Sequence, residues 1–133
     1  MTKTDMVLEF HKKFGFSINV PLEENDILKK RLAFINEEIR EFREAVTTGN
    51  RAEILKELCD VLYMLIGFGV CYGLPVDEGF KRAHASNMSK SPTDDPDGKA
   101  IKGPGYFKAD LRDLFPDTNG IDHPPIGRGQ NAA

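Results

Sequence analysis

Apolar positions in the first two thirds of the chain recur at helical spacing. In "DILKKRLAFINEEIREFREAVTTG", residues 26–49, Leu28, Leu32, Ile35, Ile39, Phe42 and Val46 step by 4, 3, 4, 3 and 4. That is a coiled-coil-like seam, the packing mode of helix bundles. Asn25 or Asp26 can cap the start of this helix, and Gly49 follows its end. "TDMVLEFHKKFG", residues 4–15, predicts a shorter first helix with Met6, Val7, Phe10 and Phe14 at helical spacing, and Pro21 breaks the periodicity in the loop that follows. "RAEILKELCDVLYMLIGFGVCYG" predicts a third helix over 51–73, nearly apolar all round from Val61 onward. Such a helix sits in the middle of a bundle or at an oligomer interface. "LPVDEGFKRAHASNMSK", residues 74–90, predicts a fourth, with Pro75 suited to its first turn. There is no internal repeat and no strand pattern, so the fold class is all-α.

Composition divides this picture near Lys90. Residues 91–133 hold six of the eight prolines and six of the twelve glycines, so regular structure is expected to be sparse there. The expected organisation is a helical domain over 1–90 and an irregular Gly/Pro-rich extension over 91–133. The extension is expected to pack on the domain or on a neighbouring subunit through Tyr106, Phe107 and Leu111, and to end in a mobile "PPIGRGQNAA". A net charge of −3 gives no basic surface for nucleic acid. The most apolar stretch, Val61 to Leu74, has 14 residues and falls short of the roughly 20 that a membrane helix needs. The N-terminus has no signal-peptide pattern. Cys59 and Cys71 are twelve residues apart on one helix, a rise of roughly 18 Å. That excludes a disulfide between them, and free thiols fit a reducing, cytoplasmic setting.

Acidic residues change the picture further. On a helical wheel Arg31, Phe34, Glu38, Glu41 and Ala45 form a stripe beside the apolar seam of the second helix. Glu57, Asp60, Met64, Gly67 and Cys71 do the same on the third. Each helix thus offers one i, i+3 acidic pair at the border of its core face, and a short "TTGNR" link favours antiparallel packing that lets the pairs meet. Four such carboxylates would repel and raise one another's pKa. A hard divalent cation, Mg2+ or Mn2+, relieves that repulsion and accepts oxygen ligands. The competing reading is a solvated acidic face, with Arg40 and Arg43 as partners. Asp60 argues against it, because Leu58, Cys59, Val61 and Leu62 are expected to leave it little solvent. No histidine follows either pair at the di-iron offset, and "DGKAIKG" lacks the features of a Walker loop.

"EEIRE", residues 37–41, followed after fifteen residues by "ELCD" and "VLYML", resembles the EExxE…ExxD signature of the MazG-like all-α nucleoside triphosphate pyrophosphohydrolases. This superfamily also holds dimeric dUTPases and phosphoribosyl-ATP pyrophosphohydrolase. The resemblance covers residues 1 to about 90, and "HASNMSK" is similar to the segment in small phage and bacterial members. It implies a four-helix-bundle subunit in a homodimer or homotetramer. The activity it implies is Mg2+-dependent cleavage of a nucleoside triphosphate to monophosphate and pyrophosphate by water attack on the α-phosphorus. It implies Glu38, Glu41, Glu57 and Asp60 as metal ligands, Glu38 or Glu41 as the base, and Glu37 as a support for the ligands or for water. Asn87 and Lys90, one turn apart, would reach the triphosphate, where a lysine offsets phosphate charge; the alternative is an ordinary helix end carrying a cation favourable to its dipole. His11, Phe14 and Asn19 are the candidates for a base pocket, against the simpler reading that the phenylalanines are core. The phage-like resemblance favours a purine, dGTP or GTP. Alternatives are a dUTP or damaged-dNTP pyrophosphatase and a non-catalytic helical oligomer that binds a metal or a partner. Phosphoribosyl-ATP ranks lower, because the extension is not typical of that enzyme.

Overall fold

The computed structural model describes residues 1–118, 120, 121 and 126. Among these it is all-helical, with four α-helices, one short 3-10 turn and a single isolated bridge between Ser91 and Ile101. The fold class read from the sequence holds. The expected mobile end lies outside the described residues, Ile126 excepted.

The first helix, α1, is Lys3–Phe14. Thr2 caps it with a reciprocal box: its hydroxyl accepts from the Asp5 N–H at 3.0 Å, and the Asp5 carboxylate accepts from the Thr2 N–H at 2.8 Å. The loop after α1 is fixed from both sides. The Phe16 N–H returns to the His11 carbonyl, while the N–H groups of Asn19 and Val20 reach the Val70 and Cys71 carbonyls at 3.1 and 2.8 Å. Asn25 then caps α2, Asp26–Thr48, by accepting from the Leu28 N–H at 3.1 Å. Gly49 ends α2 at φ 67°, a left-handed position suited to glycine. Asn50 caps α3, Arg51–Cys71, by accepting from the N–H groups of Ala52 and Glu53. With Gly49 and Asn50 alone between them, α3 folds back along α2.

The chain divides into two compact units: Met1–Leu74, to which Ile126 also belongs, and Pro75–Ile121. The composition shift at Lys90 therefore does not coincide with this boundary, and the fourth helix groups with the extension. In the first unit α3 packs against both α1 and α2. Gly67 makes that approach possible: a Cβ there would stand 3.3 Å from His11 Nε2, 3.4 Å from Arg31 Nη1 and 3.8 Å from Val7 Cγ1. Leu28, Cys71 and Tyr72 form a buried cluster, with Val20, Leu22, Phe68 and Ile126 packed on it. The seam expected to be core is only partly so. Leu28 is buried, but Leu32, Ile39 and Val46 are exposed, as are Leu55, Leu58, Leu62 and Leu65 of α3. On the neighbouring stripe Ala45 is buried and Arg31, Glu38 and Glu41 are half-buried, while Phe34 is exposed; Ile35 and Phe42 of the seam are half-buried too.

The second unit is built on α4, Val76–Met88, which starts after Pro75. Its C-terminal end holds the extension through the backbone of Phe107: Ser86 Oγ donates to the Phe107 carbonyl at 2.8 Å, and the Phe107 N–H donates to Ser89 Oγ at 3.0 Å. Arg82 contacts Glu78, the Asp110 carbonyl and Asp113 beside the 3-10 turn Arg112–Leu114. Of the three expected anchors, Tyr106 and Leu111 are half-buried, whereas the Phe107 ring is exposed.

Candidate functional site

Helix geometry brings the acidic pairs together. Glu38 and Glu41 lie one turn apart on α2, and Glu57 lies on the part of α3 that runs back past them. One carboxylate oxygen from each of Glu38, Glu41 and Glu57 falls within 4.8 Å of the others. All three residues are half-buried. The Oε2 atoms of Glu38 and Glu57 are buried with no hydrogen-bond partner. Burial, followed by the charges of Glu41, Asp60 and Glu57, pushes the Glu38 carboxyl above its ordinary range.

This arrangement separates the two readings of the acidic stretch. Arg40 pairs with Glu44 at 2.8 Å and stands 3.9 Å from Glu41. The Glu44 contact belongs to a solvated helix face, and the longer one reaches the cluster's edge at Glu41. Among the described residues no ion pair reaches Glu38, which keeps an orphaned oxygen in a cluster of like charge. Buried polar atoms are normally satisfied, so an orphaned pair calls for a missing partner. Oxygen-only donors, closely set and partly dehydrated, suit a hard divalent cation such as Mg2+ or Mn2+. An open cleft of about 590 Å³ adjoins the cluster, lined by Glu41, Ala45, Thr48, Glu53, Lys56 and Glu57 among others.

Asp60 departs from expectation. It is half-buried, like the other three, rather than sealed by its neighbours, and it lies outside the three-carboxylate group. Adjacent residues on a helix point to other faces; Leu58 and Leu62 are themselves exposed. Lys56, which the sequence reading missed, holds Asp60 instead. Its Nζ stands 2.7 Å from Asp60 Oδ2 and 3.4 Å from Glu57 Oε1, contacts that push the ammonium pKa up. The i, i+4 spacing of Lys56 and Asp60 was the available signal.

The base-pocket candidates divide. His11 is fully buried at 1% exposure, with Nδ1 2.9 Å from the Ser17 carbonyl. Burial lowers its pKa, the Ser17 carbonyl opposes this, and Arg31 adds to it. A neutral ring donating from Nδ1 to that carbonyl is the tautomer these neighbours favour. Phe14 is exposed and packs on Phe10, with ring centroids 4.8 Å apart; both His11 and Phe14 also approach Phe16. Arg31, placed by the sequence on the carboxylate stripe without a role at this loop, lies 5.7 Å from the Phe16 ring centroid. Asn19 sits at φ 51° at the other end of the loop, its Oδ1 3.0 Å from the place a Cβ on Gly73 would occupy. Asn87 and Lys90 belong to the second unit. Asn87 is exposed in the last turn of α4, and the half-buried Lys90 donates its N–H to the Asn87 carbonyl at 3.1 Å.

No helix among the described residues is long and apolar enough to cross a membrane. In sequence the chain is similar to the uncharacterized protein L479 of Acanthamoeba polyphaga mimivirus, at 34% identity over 82 residues. That match covers 57% of this chain and 33% of the viral protein, so the chain spans about a third of this relative's length. Residues 7–87, more than half of the chain, match the phosphoribosyl-ATP pyrophosphohydrolase family. That span holds all three helices of the first unit except the start of α1, together with the clustered carboxylates, and the chain belongs to this family.

Proposed function

We propose that the protein is a metal-dependent nucleotide pyrophosphohydrolase that cleaves between the α- and β-phosphates of a nucleoside triphosphate and releases pyrophosphate. The observation that carries this reading is the orphaned Glu38 and Glu57 oxygens inside a three-carboxylate cluster, within the family-matched span. Glu38, Glu41 and Glu57 would hold Mg2+ or Mn2+, with Asp60 as a fourth ligand. Bound there, the cation would supply charge neutralisation for phosphate oxygens and acidify a water. The chain's own residues do the rest. Glu38 or Glu41 is the candidate base that would take a proton from the attacking water. Lys90 and Asn87 are assigned to the triphosphate, and His11, Phe14 and Asn19 to the base. Of the last three, Phe14 presents an exposed ring for stacking, while buried His11 supports the loop that carries Phe16 and Ser17.

Within this class the purine preference, dGTP or GTP, rests on the resemblance of "HASNMSK" to phage proteins. The family match favours a second substrate, phosphoribosyl-ATP, which presents the same triphosphate. A dUTP or damaged-dNTP substrate uses the same cluster. Self-association into a homodimer or homotetramer is supported by the exposed apolar residues on α2 and α3. The test is Glu41→Ala and Asp60→Ala, each with its helical content checked. Pyrophosphate release is expected to drop by at least about a hundredfold in Glu41→Ala. Full activity in both folded variants would overturn the assignment and leave a non-catalytic helical oligomer.

A further inference from the structure

Of the four carboxylates in the two acidic pairs, Glu38, Glu41 and Glu57 bring an oxygen within 4.8 Å of one another, while Asp60 falls outside that group although its charge still bears on Glu38. Lys56 stands beside that fourth residue. Its ammonium touches Asp60 at 2.7 Å and Glu57 at 3.4 Å, and its side chain lines the cleft beside Glu41 and Glu57. A cation already stands, in other words, on two of the groups assigned to the metal. The Lys56 side chain is 67% exposed, so it can swing out of the cleft without losing buried packing. Its position one turn before Asp60 lets it bridge to that residue from the same helix face.

We infer that Lys56 is a built-in counter-ion of the carboxylate cluster: it competes with the divalent cation for Glu57 and Asp60 and holds Asp60 outside the ligand set until it is displaced. The inference rests on the metal-site reading above. It makes Lys56 a positioning residue, acting on the metal through Asp60 and Glu57. Removing a like charge a few ångströms from a cation site strengthens cation binding, and the effect falls off with distance and salt. An i, i+4 pair that merely decorates the helix would change helix stability slightly and leave metal affinity alone.

The experiment is Mn2+ binding to the metal-free full-length chain, without nucleotide, followed by electron paramagnetic resonance of the free ion. Lys56→Gln is expected to bind Mn2+ roughly three- to tenfold more tightly than wild type. Lys56→Arg, which keeps the charge, is expected to stay at or below wild type. Lys29→Gln on α2, the same change of charge elsewhere, serves as control and is expected to shift affinity less than twofold. The gain from Lys56→Gln is expected to shrink in an Asp60→Asn background. Equal or weaker binding by Lys56→Gln, or an equal gain in Lys29→Gln, would overturn the inference while leaving the metal site standing. An unreduced gain in the Asp60→Asn background would overturn the role given to Asp60. No Mn2+ binding by the wild type would overturn both the inference and the metal-site reading.

Discussion

Glu38 carries a conflict that a purely structural residue would not keep. Its folded pKa lies above the unfolded value near 4.5. Its contribution to stability is therefore fully present below that value and is lost as pH rises through the folded pKa. Without a cation, burial and the neighbouring carboxylates disfavour the charged form of Glu38. Glu38→Gln is expected to raise Tm in chelator by about 2–4 °C, to abolish any rise on adding Mg2+, and to lower activity by at least about a hundredfold; thermal melts with and without metal check the first two. His11 has the opposite sign. Its folded pKa is lowered, chiefly by burial, so its contribution is present above the unfolded value of about 6.5 and is lost as pH falls through the folded one. The urea midpoint of the metal-free chain is expected to drop between pH 7.5 and 5.5, and to drop less in His11→Asn. An equal drop in the variant would place the sensitive group elsewhere. Residue by residue, the acidic spacing was legible because i, i+3 pairs depend only on helix geometry. That Asp60 is only half-buried was not, since sequence neighbours on a helix face different ways.

At the scale of elements, start and stop signals placed the helices closely. Asn25, Gly49 and Asn50 bracket α2 and α3, and the ends differ from the sequence expectation by two residues at most. Which face of α2 meets α3 was less legible. The apolar seam and the carboxylate stripe lie side by side, and periodicity ranks the seam first because it contains no charge. Packing instead divides burial between the two, with Leu28 of the seam and Ala45 of the stripe both buried and Gly67 of α3 set close to His11 of α1 and Arg31 of α2. Gly67→Val would drive a branched side chain against fully buried His11 and is expected to destabilise the chain by about 1–3 kcal/mol. Urea unfolding measures this; a neutral result would mean that the helices separate there at little cost. The role of Ser86 and Ser89 in holding the Phe107 backbone had no sequence signature, since hydroxyl-to-backbone bonds across 18 and 21 residues leave no period.

At the scale of the whole molecule, the small buried core and the exposed leucines of α3 favour self-association. Light scattering at micromolar concentration is expected to give a dimer or tetramer, and Leu58→Lys with Leu65→Lys is expected to shift it toward monomer. A monomeric wild type would remove the explanation for those residues. The carboxylate cluster is tested most directly by pyrophosphate release with Mg2+ or Mn2+ across all canonical NTPs and dNTPs, dUTP and phosphoribosyl-ATP, with the nucleotide product identified. The expected result is metal-dependent release from one or a few substrates, giving the monophosphate and no free orthophosphate. Absence of release from every substrate, by a folded chain that binds Mn2+, would contradict the account.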